Sequence, residues 1–168
     1  MIPAVWWARH QAFRLLQEVR DPRWQTLLSV APDRAGMLSR FWPPDLGRMP
    51  QGKGDIGMRM ARVFRQAPPG PVVIVGSDIP GIRRAHIACA FAELGRNRAV
   101  FGPAEDGGFW LAGLKRPPAP PAGLFLGVRW STPFALADSL PTVHSDRIAF
   151  VSMLCDVDTS ADLAQIDR

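Results

Sequence analysis

A run of four β-branched residues, Val72 to Val75, sets the strongest limit on how this chain can fold. Such a run is typical of a strand that is buried on both faces, as in a parallel sheet. Gly76 and Ser77 end the run, so the Asp78 carboxylate is expected at the carboxyl end of the strand, where open α/β sheets bind ligands. Asp is also a frequent helix N-cap. The sequence therefore leaves two roles for Asp78 open, a ligand-binding carboxylate and a helix cap.

The rest of the chain alternates between helical and extended patterns, which predicts an α/β fold in a single domain over residues 1–168. Helices are predicted at Trp6 to Val19, at Ile82 to Leu94 and at Ser160 to Ile166. One more is predicted to follow the glycines that end at Gly57, and another to start with Thr132 as N-cap and Pro133 as its first residue. Strands are predicted at Gln25 to Val30, Ala99 to Phe101 and Ile148 to Leu154. Met37 to Pro50, which is interrupted by prolines and a glycine, is predicted to be irregular and exposed.

A glycine-rich stretch, Gln51 to Gly57, precedes one of these helices. A loop that enters a helix N-terminus offers free backbone N–H groups, and glycine lets an anionic ligand approach closely. The stretch lacks the glycine spacing and the Lys-Ser/Thr ending of a Walker A loop. An ordinary glycine loop is an equally good interpretation.

Carboxylates follow three of the predicted apolar strands: Asp78, then Glu105 and Asp106 with Gly107 and Gly108, then Asp156 and Asp158. In a largely parallel sheet such ends converge, and gathered carboxylates repel one another unless a cation or protons compensate. Hard oxygen ligands suit Mg²⁺ or Mn²⁺. A simple turn would also explain Asp106–Gly107.

Composition narrows the function classes. No apolar run approaches the roughly 20 residues that a membrane span needs, and no signal peptide is evident. Cys89 and Cys155 are expected to be buried free thiols, which fit a cytoplasmic protein. The net charge is +5, but the arginines are scattered singly, so nucleic-acid binding is only weakly supported. A positive field also suits an anionic substrate such as a nucleotide.

Five motifs, taken together and in order, resemble one protein family. In one-letter code they are QGxGDIGxRM from Gln51, GSDIP from Gly76, GPAEDGGFW from Gly102, WST from Trp130 and DVDTxxDL from Asp156. The set resembles the DUF2064 proteins, also called rSAM/selenodomain-associated transferase 1, over about residues 24 to 166. That family belongs to the GT-A nucleotide-diphospho-sugar transferase superfamily, alongside molybdopterin and phospholactate nucleotidyltransferases.

The resemblance implies a three-layer α/β/α sandwich with a Rossmann-like, mostly parallel sheet, and a divalent metal, Mg²⁺ or Mn²⁺, that bridges substrate phosphates. It implies catalytic roles for Asp78 and Asp106, and metal ligation by Asp78 with Asp156 or Asp158. The implied nucleotide-binding residues are Gln51, Gly52, Gly54, Asp55, Gly57 and Ser77. The implied acceptor-side residues are Glu105, Gly107, Gly108 and Trp130.

This sequence departs from the family pattern in two places. The family's opening strand, with a loop of the type Ala-Pro-x-x-Gly-x-x-Lys-Thr-Arg-Leu, has no counterpart here, and Phe109 stands where the family usually has Tyr. Because the first strand of a doubly wound sheet is central, its loss is expected to leave a gap in the sheet. That gap would be closed by rearrangement, by a partner such as a second copy of the chain, or not at all.

The sequence therefore predicts a metal-dependent glycosyl- or nucleotidyltransferase that acts on a nucleotide-activated donor. The alternative is a shortened, catalytically impaired relative that acts as a binding or interaction protein. Expected partners are a nucleotide or nucleotide-sugar substrate, with no membrane and no nucleic acid.

Overall fold

The computed structural model describes residues 4–79, 81–116 and 119–154, with side chains described from residue 10 onward. The candidate metal ligands Asp156 and Asp158, the thiol of Cys155 and the predicted helix Ser160 to Ile166 lie outside these residues.

Within them, the chain forms both helices and strands, most of them where the sequence patterns predict them. The helices are α1 (Ala4–Val19), α2 (Asp33–Leu38), α3 (Ile56–Gln66), α4 (Arg84–Arg96) and α5 (Ala135–Ser139), followed by a 3₁₀ turn, Leu140–Val143. The strands are β1 (Leu27–Val30), β2 (Gly47–Pro50), β3 (Val72–Val75), β4 (Ala99–Pro103), β5 (Phe109–Leu114) and β6 (Ile148–Phe150). Among these helices, none combines the length and the apolar character that crossing a membrane requires.

The main sheet has four strands in the order β3-β5-β4-β6. β4 and β5 form an antiparallel hairpin, β3 pairs antiparallel with β5, and β6 pairs parallel with β4. It follows that β3, β4 and β6 run in one direction and only β5, among these four strands, runs in the other. Because three of these four strands run in the same direction, the mostly parallel α/β sheet expected from the sequence is confirmed.

Two apolar clusters cover the two faces of this sheet, because successive side chains of a strand point to opposite faces. On one face, Phe101 and Ala112 pack with Phe64 of α3 and Ala135 of α5. On the other face, the cluster is built from β4 and β5 together with α1 and α4 (Val100, Leu111, Val19, Ile87, Ala90 and Leu94). The result is three layers, helices on both sides of a sheet.

A second, two-stranded parallel sheet is formed by β1 and β2. The prediction that Met37 to Pro50 is irregular is therefore wrong for Gly47–Pro50, and also for Met37 and Leu38, which end α2. This segment carries no apolar alternation, and its pairing with β1, from Leu27–Gly47 to Val30–Pro50, makes it a strand. The Arg48 guanidinium also ties the preceding loop together by donating to the carbonyl oxygens of Gly36, Met37, Ser39 and Trp42.

Between the two sheets, a gap separates β1 from β3. Each strand is terminal in its own sheet, and both line one cavity of about 1530 Å³. The prediction that Val72 to Val75 is buried on both faces is wrong, because all four residues are only half-buried. They lie at an open sheet edge, where no described strand covers them on the side of the gap.

Three further local predictions are corrected. Cys89 is exposed, because it lies on the side of α4 opposite the buried Ile87, Ala90 and Leu94. The helix expected from Thr132 begins only at Ala135, since the Thr132 hydroxyl donates to the Arg129 carbonyl and holds a turn instead. The last strand ends at Phe150, and beyond it Leu154 forms a single bridge with Ala104.

The Arg116 side chain anchors the end of α3 to the start of β3. Its guanidinium donates to the carbonyl oxygens of Phe64 (2.7 Å), Ala67 (3.2 Å), Gly70 (3.1 Å) and Pro68. Partial burial lowers the pKa of Arg116 from its ordinary value. Since a lysine has no planar fork of donors, only arginine can satisfy so many carbonyls at once.

We expect Arg116→Ala to lower the free energy of unfolding by about 2 kcal/mol, because part-buried carbonyls lose charged donors. Urea denaturation of the variant measures this loss. Arg65→Ala, at an exposed arginine of α3, serves as the control and should change stability by less than about 0.5 kcal/mol. Equal effects in the two variants would refute the anchoring role.

Candidate active site

The carboxyl end of β3 opens into the 1530 Å³ cavity, and Ser77 and Asp78 lie on its wall. Both residues are exposed. No hydrogen bond or ion pair to another described residue engages the Asp78 carboxylate, so it does not cap α4 in the described structure. The N-cap of α4 is Arg83, whose backbone N–H donates to Nδ1 of His86 at 3.2 Å. The helix-cap role that the sequence left open is therefore not supported for Asp78, and its ligand-binding role stays a prediction.

The β4–β5 turn brings Asp106 and Gly108 to the same cavity. Asp106 Oδ1 accepts the backbone N–H of Gly108 at 2.8 Å, so this oxygen stabilises the turn. Gly107 has φ +84°, and a Cβ there would lie 2.6 Å from Cα of Pro133. The turn explanation of Asp106–Gly107 is thus confirmed, and it leaves Asp106 Oδ2 available for chemistry.

The glycine-rich stretch is held mainly by its own contacts. Asp55 is the N-cap of α3, and its Oδ1 accepts the Met58 N–H at 2.8 Å. The Gly52 N–H donates to Asp33 Oδ1 at 3.0 Å, while the Arg62 guanidinium donates to the carbonyls of Gln51 and Lys53. Fewer backbone N–H groups are therefore free for a ligand than the sequence suggests.

Of this stretch, Gln51 and Ile56 line the cavity, and Gln51 brings polar atoms to it. Its Nε2 donates to the Ser29 carbonyl at 3.1 Å, and its Oε1 accepts from Arg59 Nη1 at 3.4 Å. Gly57 instead lies in the core, where a Cβ would come within 2.6 Å of the Trp130 ring. The absence of a side chain at Gly57 lets α3 pack closely against that ring.

Arg59 is a candidate binding residue that the sequence reasoning did not select. It is half-buried, lines the cavity, and also donates from Nε to the Gly54 carbonyl at 3.0 Å. The sequence held one indication of this role, because Arg59 lies in the QGxGDIGxRM motif, four residues after the Asp55 N-cap. Residues four apart lie on the same side of a helix. A guanidinium held by two such contacts is well suited to binding a phosphate.

Aromatic side chains form another wall of the cavity. The rings of Phe109 and Trp130 lie 6.1 Å apart, and Phe125 stacks behind Phe109 at 6.2 Å. The Trp130 indole N–H is buried and has no hydrogen-bond partner among the described residues. Next to it, Ser131 adopts a left-handed backbone with φ +57°, a strained conformation that is common at functional sites.

The structure thus brings six of the predicted site residues to one cavity and leaves six others outside its wall. Those on the wall are Gln51, Ser77, Asp78, Asp106, Gly108 and Trp130. Those outside it are Gly52, Gly54, Asp55, Gly57, Glu105 and Gly107.

The described side chains supply only some of the oxygen ligands that Mg²⁺ or Mn²⁺ would need. Asp78 and Asp106 supply carboxylate oxygens to the same cavity, and Mg²⁺ often uses one or two carboxylates together with substrate phosphates. No group of three or more His, Cys, Asp or Glu side chains that could hold a metal occurs within residues 4–79, 81–116 and 119–154. The metal ligands therefore stay a prediction.

An ion pair holds the loop that carries Trp130. Arg129 donates from Nε and Nη2 to the two Asp138 oxygens at 2.8 and 2.9 Å. These hydrogen bonds lower the pKa of Asp138 from 3.8 to about 2. Because the folded-state pKa is depressed, the stabilisation is present above pH 3.8 and is lost as the pH falls towards 2.

We expect wild type to melt at a higher temperature than Asp138→Asn at about pH 5, and the difference to vanish near pH 2. Thermal melts monitored by circular dichroism at both pH values measure it. Asp146→Asn, at an exposed carboxylate outside this ion pair, serves as the control substitution. A constant offset between wild type and Asp138→Asn at all pH values would contradict this account of the ion pair.

Comparison with solved structures identifies the fold. A crystal structure of a protein from Desulfovibrio desulfuricans G20, provisionally assigned as a nucleotide-diphospho-sugar transferase, matches with a TM-score of 0.81. The two sequences are 24% identical, and the match covers 96% of this chain and 73% of the other. This likeness confirms the three-layer, GT-A-like α/β fold expected from the sequence.

The family follows from the sequence itself. A family model, DUF2064, described as an uncharacterised protein conserved in bacteria, matches residues 15–132. This chain belongs to the DUF2064 family. No curated protein matches it.

Proposed function

We propose that this protein is a transferase that moves a group from a nucleotide-activated donor to an acceptor in the cavity at the end of β3. The proposal rests on the position of Asp78, whose carboxylate bonds to no other described residue. Asp78 follows the end of a strand and lies on the wall of a cavity in a GT-A-like fold. The provisional assignment of the structural neighbour as a nucleotide-diphospho-sugar transferase favours a nucleotide sugar as donor.

The positive charge for the donor phosphates would come from Arg59. Its guanidinium is half-buried on the cavity wall and is oriented by Gln51 and the Gly54 carbonyl. An oriented guanidinium forms paired, charge-assisted hydrogen bonds to phosphate oxygens. The small residues Gly76 and Gly108 leave room on the same wall for a ligand to approach.

Asp78 would hold Mg²⁺ or Mn²⁺ together with the donor phosphates, with Asp156 or Asp158 as a second ligand. When bound, such an ion neutralises the charge that develops on a leaving diphosphate. Asp106 Oδ2, which the turn does not use, would accept the proton of an acceptor hydroxyl. Trp130 and Phe109 would exclude water from the acceptor side.

One observation favours the alternative, a binding protein without catalysis. The open gap between β1 and β3 runs into the same cavity, so one wall of the site lacks the support of a continuous sheet. A donor could bind there without being positioned for transfer, and positioning supplies much of the rate in such reactions.

Product analysis tests the proposal. The chain is incubated with nucleotide sugars of each base, in Mn²⁺, Mg²⁺ or EDTA, with water in place of the acceptor hydroxyl, and the released nucleotides are separated by chromatography. We expect metal-dependent release that falls by at least about tenfold in Asp106→Asn, as for loss of a general base. Binding without release would favour the alternative, and absence of both binding and release would refute the transferase.

A further inference from the structure

Ser131 has a backbone conformation that non-glycine residues rarely adopt. Its φ is +57°, in the left-handed region where a Cβ crowds the backbone. Two other described non-glycine residues share this region, Phe125 (φ +64°) and His144 (φ +53°). Phe125 is buried in the core, and His144 is the C-cap of the 3₁₀ turn, at the end of a helix where left-handed residues are common. Of the three, Ser131 is the residue that lines the cavity.

The residues around Ser131 impose this conformation. The Thr132 hydroxyl donates to the Arg129 carbonyl at 2.7 Å and closes a tight turn around Ser131. On the other side, Pro133 packs against Gly107, where a Cβ would come within 2.6 Å of the proline Cα. These contacts fix the backbone of the loop, and the Ser131 side chain takes part in none of them.

The Ser131 hydroxyl makes no hydrogen bond to another described residue, and the residue is exposed on the cavity wall. A glycine would adopt the same φ without strain. The serine therefore adds strain to the loop together with a hydroxyl that no described group uses. Solvation alone would explain an exposed serine on an ordinary surface, whereas strain that neighbouring contacts impose is typical of functional sites.

The loop that carries Ser131 rests on the turn that carries Asp106. Pro133 packs on Gly107 of that turn, and α5 donates a backbone N–H to the Gly107 carbonyl at 3.0 Å. Asp78, Asp106 and Ser131 line the same cavity. In the proposed function, Asp78 holds the donor phosphates and Asp106 accepts the acceptor proton, so the transferred group has to lie between them. Ser131, which adjoins the Asp106 turn, is then within reach of that group.

The wall beside this hydroxyl suits a neutral, hydroxylated group. A serine hydroxyl both donates and accepts hydrogen bonds, as the hydroxyl groups of a sugar do. Phe109 and Trp130 add aromatic surface to the same wall, which suits the apolar C–H face of a sugar ring. The cation of this loop, Arg129, is engaged by both Asp138 oxygens, so it is not free to bind a phosphate. The wall therefore fits a sugar better than a nucleotidyl group.

We propose that the Ser131 hydroxyl forms a hydrogen bond to a hydroxyl group of the sugar in a nucleotide-sugar donor. This contact favours glycosyl over nucleotidyl transfer, because it holds the sugar, and not a phosphate, beside Asp106. The inference rests on the proposed function and deepens it by naming the class of the transferred group. It leaves the diphosphate to Arg59 and Asp78, so ligands with and without the sugar separate the two claims.

Isothermal titration of the whole chain in Mn²⁺ tests the proposal. The ligands are uridine and adenosine diphosphate glucose and guanosine diphosphate mannose, each compared with its nucleoside diphosphate. We expect Ser131→Ala to weaken binding of a nucleotide sugar by about three- to tenfold, the range for loss of one hydrogen bond between neutral groups. Binding of the nucleoside diphosphate should not change. An equal loss for both ligands, or no loss for either, overturns the proposal.

Ser131→Gly separates the hydroxyl from the strained backbone. This variant also lacks the hydroxyl, but it should melt about 2–4 °C above Ser131→Ala, because glycine tolerates a φ of +57°. We expect it to bind nucleotide sugars as weakly as Ser131→Ala does. Wild-type affinity for the nucleotide sugar in Ser131→Gly would show that the hydroxyl is not the binding group, and the proposal would be overturned.

His144→Gly is the matched control, since His144 is left-handed and exposed but lies outside the cavity wall. It should raise the melting temperature and keep the wild-type affinity for both kinds of ligand. A loss of nucleotide-sugar affinity as large as in Ser131→Gly would overturn the proposal.

Failure of the proposed function gives a different result from failure of this inference alone. If the proposed function is wrong, the wild-type chain binds neither nucleoside diphosphates nor nucleotide sugars, and the role of Ser131 is refuted with it. If only the inference is wrong, the wild-type chain binds nucleoside diphosphates in Mn²⁺, and the Ser131 variants show no loss that is specific to the sugar.

Discussion

Gly107→Ala is expected to lower the free energy of unfolding by about 3 kcal/mol or more, because two separate penalties add. The residue has φ +84°, which costs a non-glycine residue about 1–3 kcal/mol. A Cβ would also lie 2.6 Å from Cα and 2.7 Å from C of Pro133, and overpacking of this kind costs about 1–3 kcal/mol. These contacts are with backbone atoms, so no rotamer change can relieve them.

Gly127→Ala separates the two penalties. Gly127 has nearly the same backbone conformation, φ +78°, but nothing lies within 4 Å of its Cβ position. We expect this variant to lose only about 1–2 kcal/mol, the conformational part alone. Urea denaturation compares the two, and a loss in Gly107→Ala no larger than in Gly127→Ala would show that the turn does not pack tightly on Pro133.

Asp78→Asn is expected to weaken metal-dependent nucleotide binding by at least about 100-fold. Loss of even an outer-shell partner costs about 10–100-fold in metal affinity, and the proposed role of Asp78 is more direct. The amide keeps the shape of the side chain and removes its charge, so the fold should be unaffected. Isothermal titration with nucleoside diphosphates in Mn²⁺ measures the affinity, and EDTA gives the metal-free value.

Asp146→Asn is the matched control for this substitution. Asp146 is exposed and precedes β6, so it lies at the amino end of a strand that runs parallel to β3, whereas Asp78 follows the carboxyl end of β3. We expect its affinity to equal that of wild type. Unchanged affinity in Asp78→Asn would remove this carboxylate from the site, and equal losses in both variants would indicate a general charge effect.

The β-branched run at Val72 to Val75 was sufficient to predict a strand, a turn and a carboxylate in the right order. It could not predict the half-burial of the strand, because burial depends on which strands lie beside it. The expected gap came from the family resemblance. In contrast, Gly47–Pro50 has no strand pattern of its own, and only its pairing with β1 makes it extended.

For the candidate site, sequence motifs located the cavity more reliably than they assigned roles within it. Asp55 and Gly57 belong to the motif, yet the first caps α3 and the second makes room for Trp130. Arg59 lies in the same motif and reaches the cavity, because α3 turns its side chain towards Gln51. These different roles depend on tertiary contacts, which cannot be read from the spacing of residues along the chain.

The central claim, that the carboxyl end of β3 is a metal-dependent nucleotide site, can be tested by paramagnetic broadening. Mn²⁺ is added with a nucleoside diphosphate to the ¹⁵N-labelled chain, and amide signals are followed by NMR. We predict loss of the signals of Gly76, Ser77, Asp78 and Gly108, while those of Gly127 and Asp146 persist. Broadening centred elsewhere, or none at all in the presence of the nucleotide, would contradict the account.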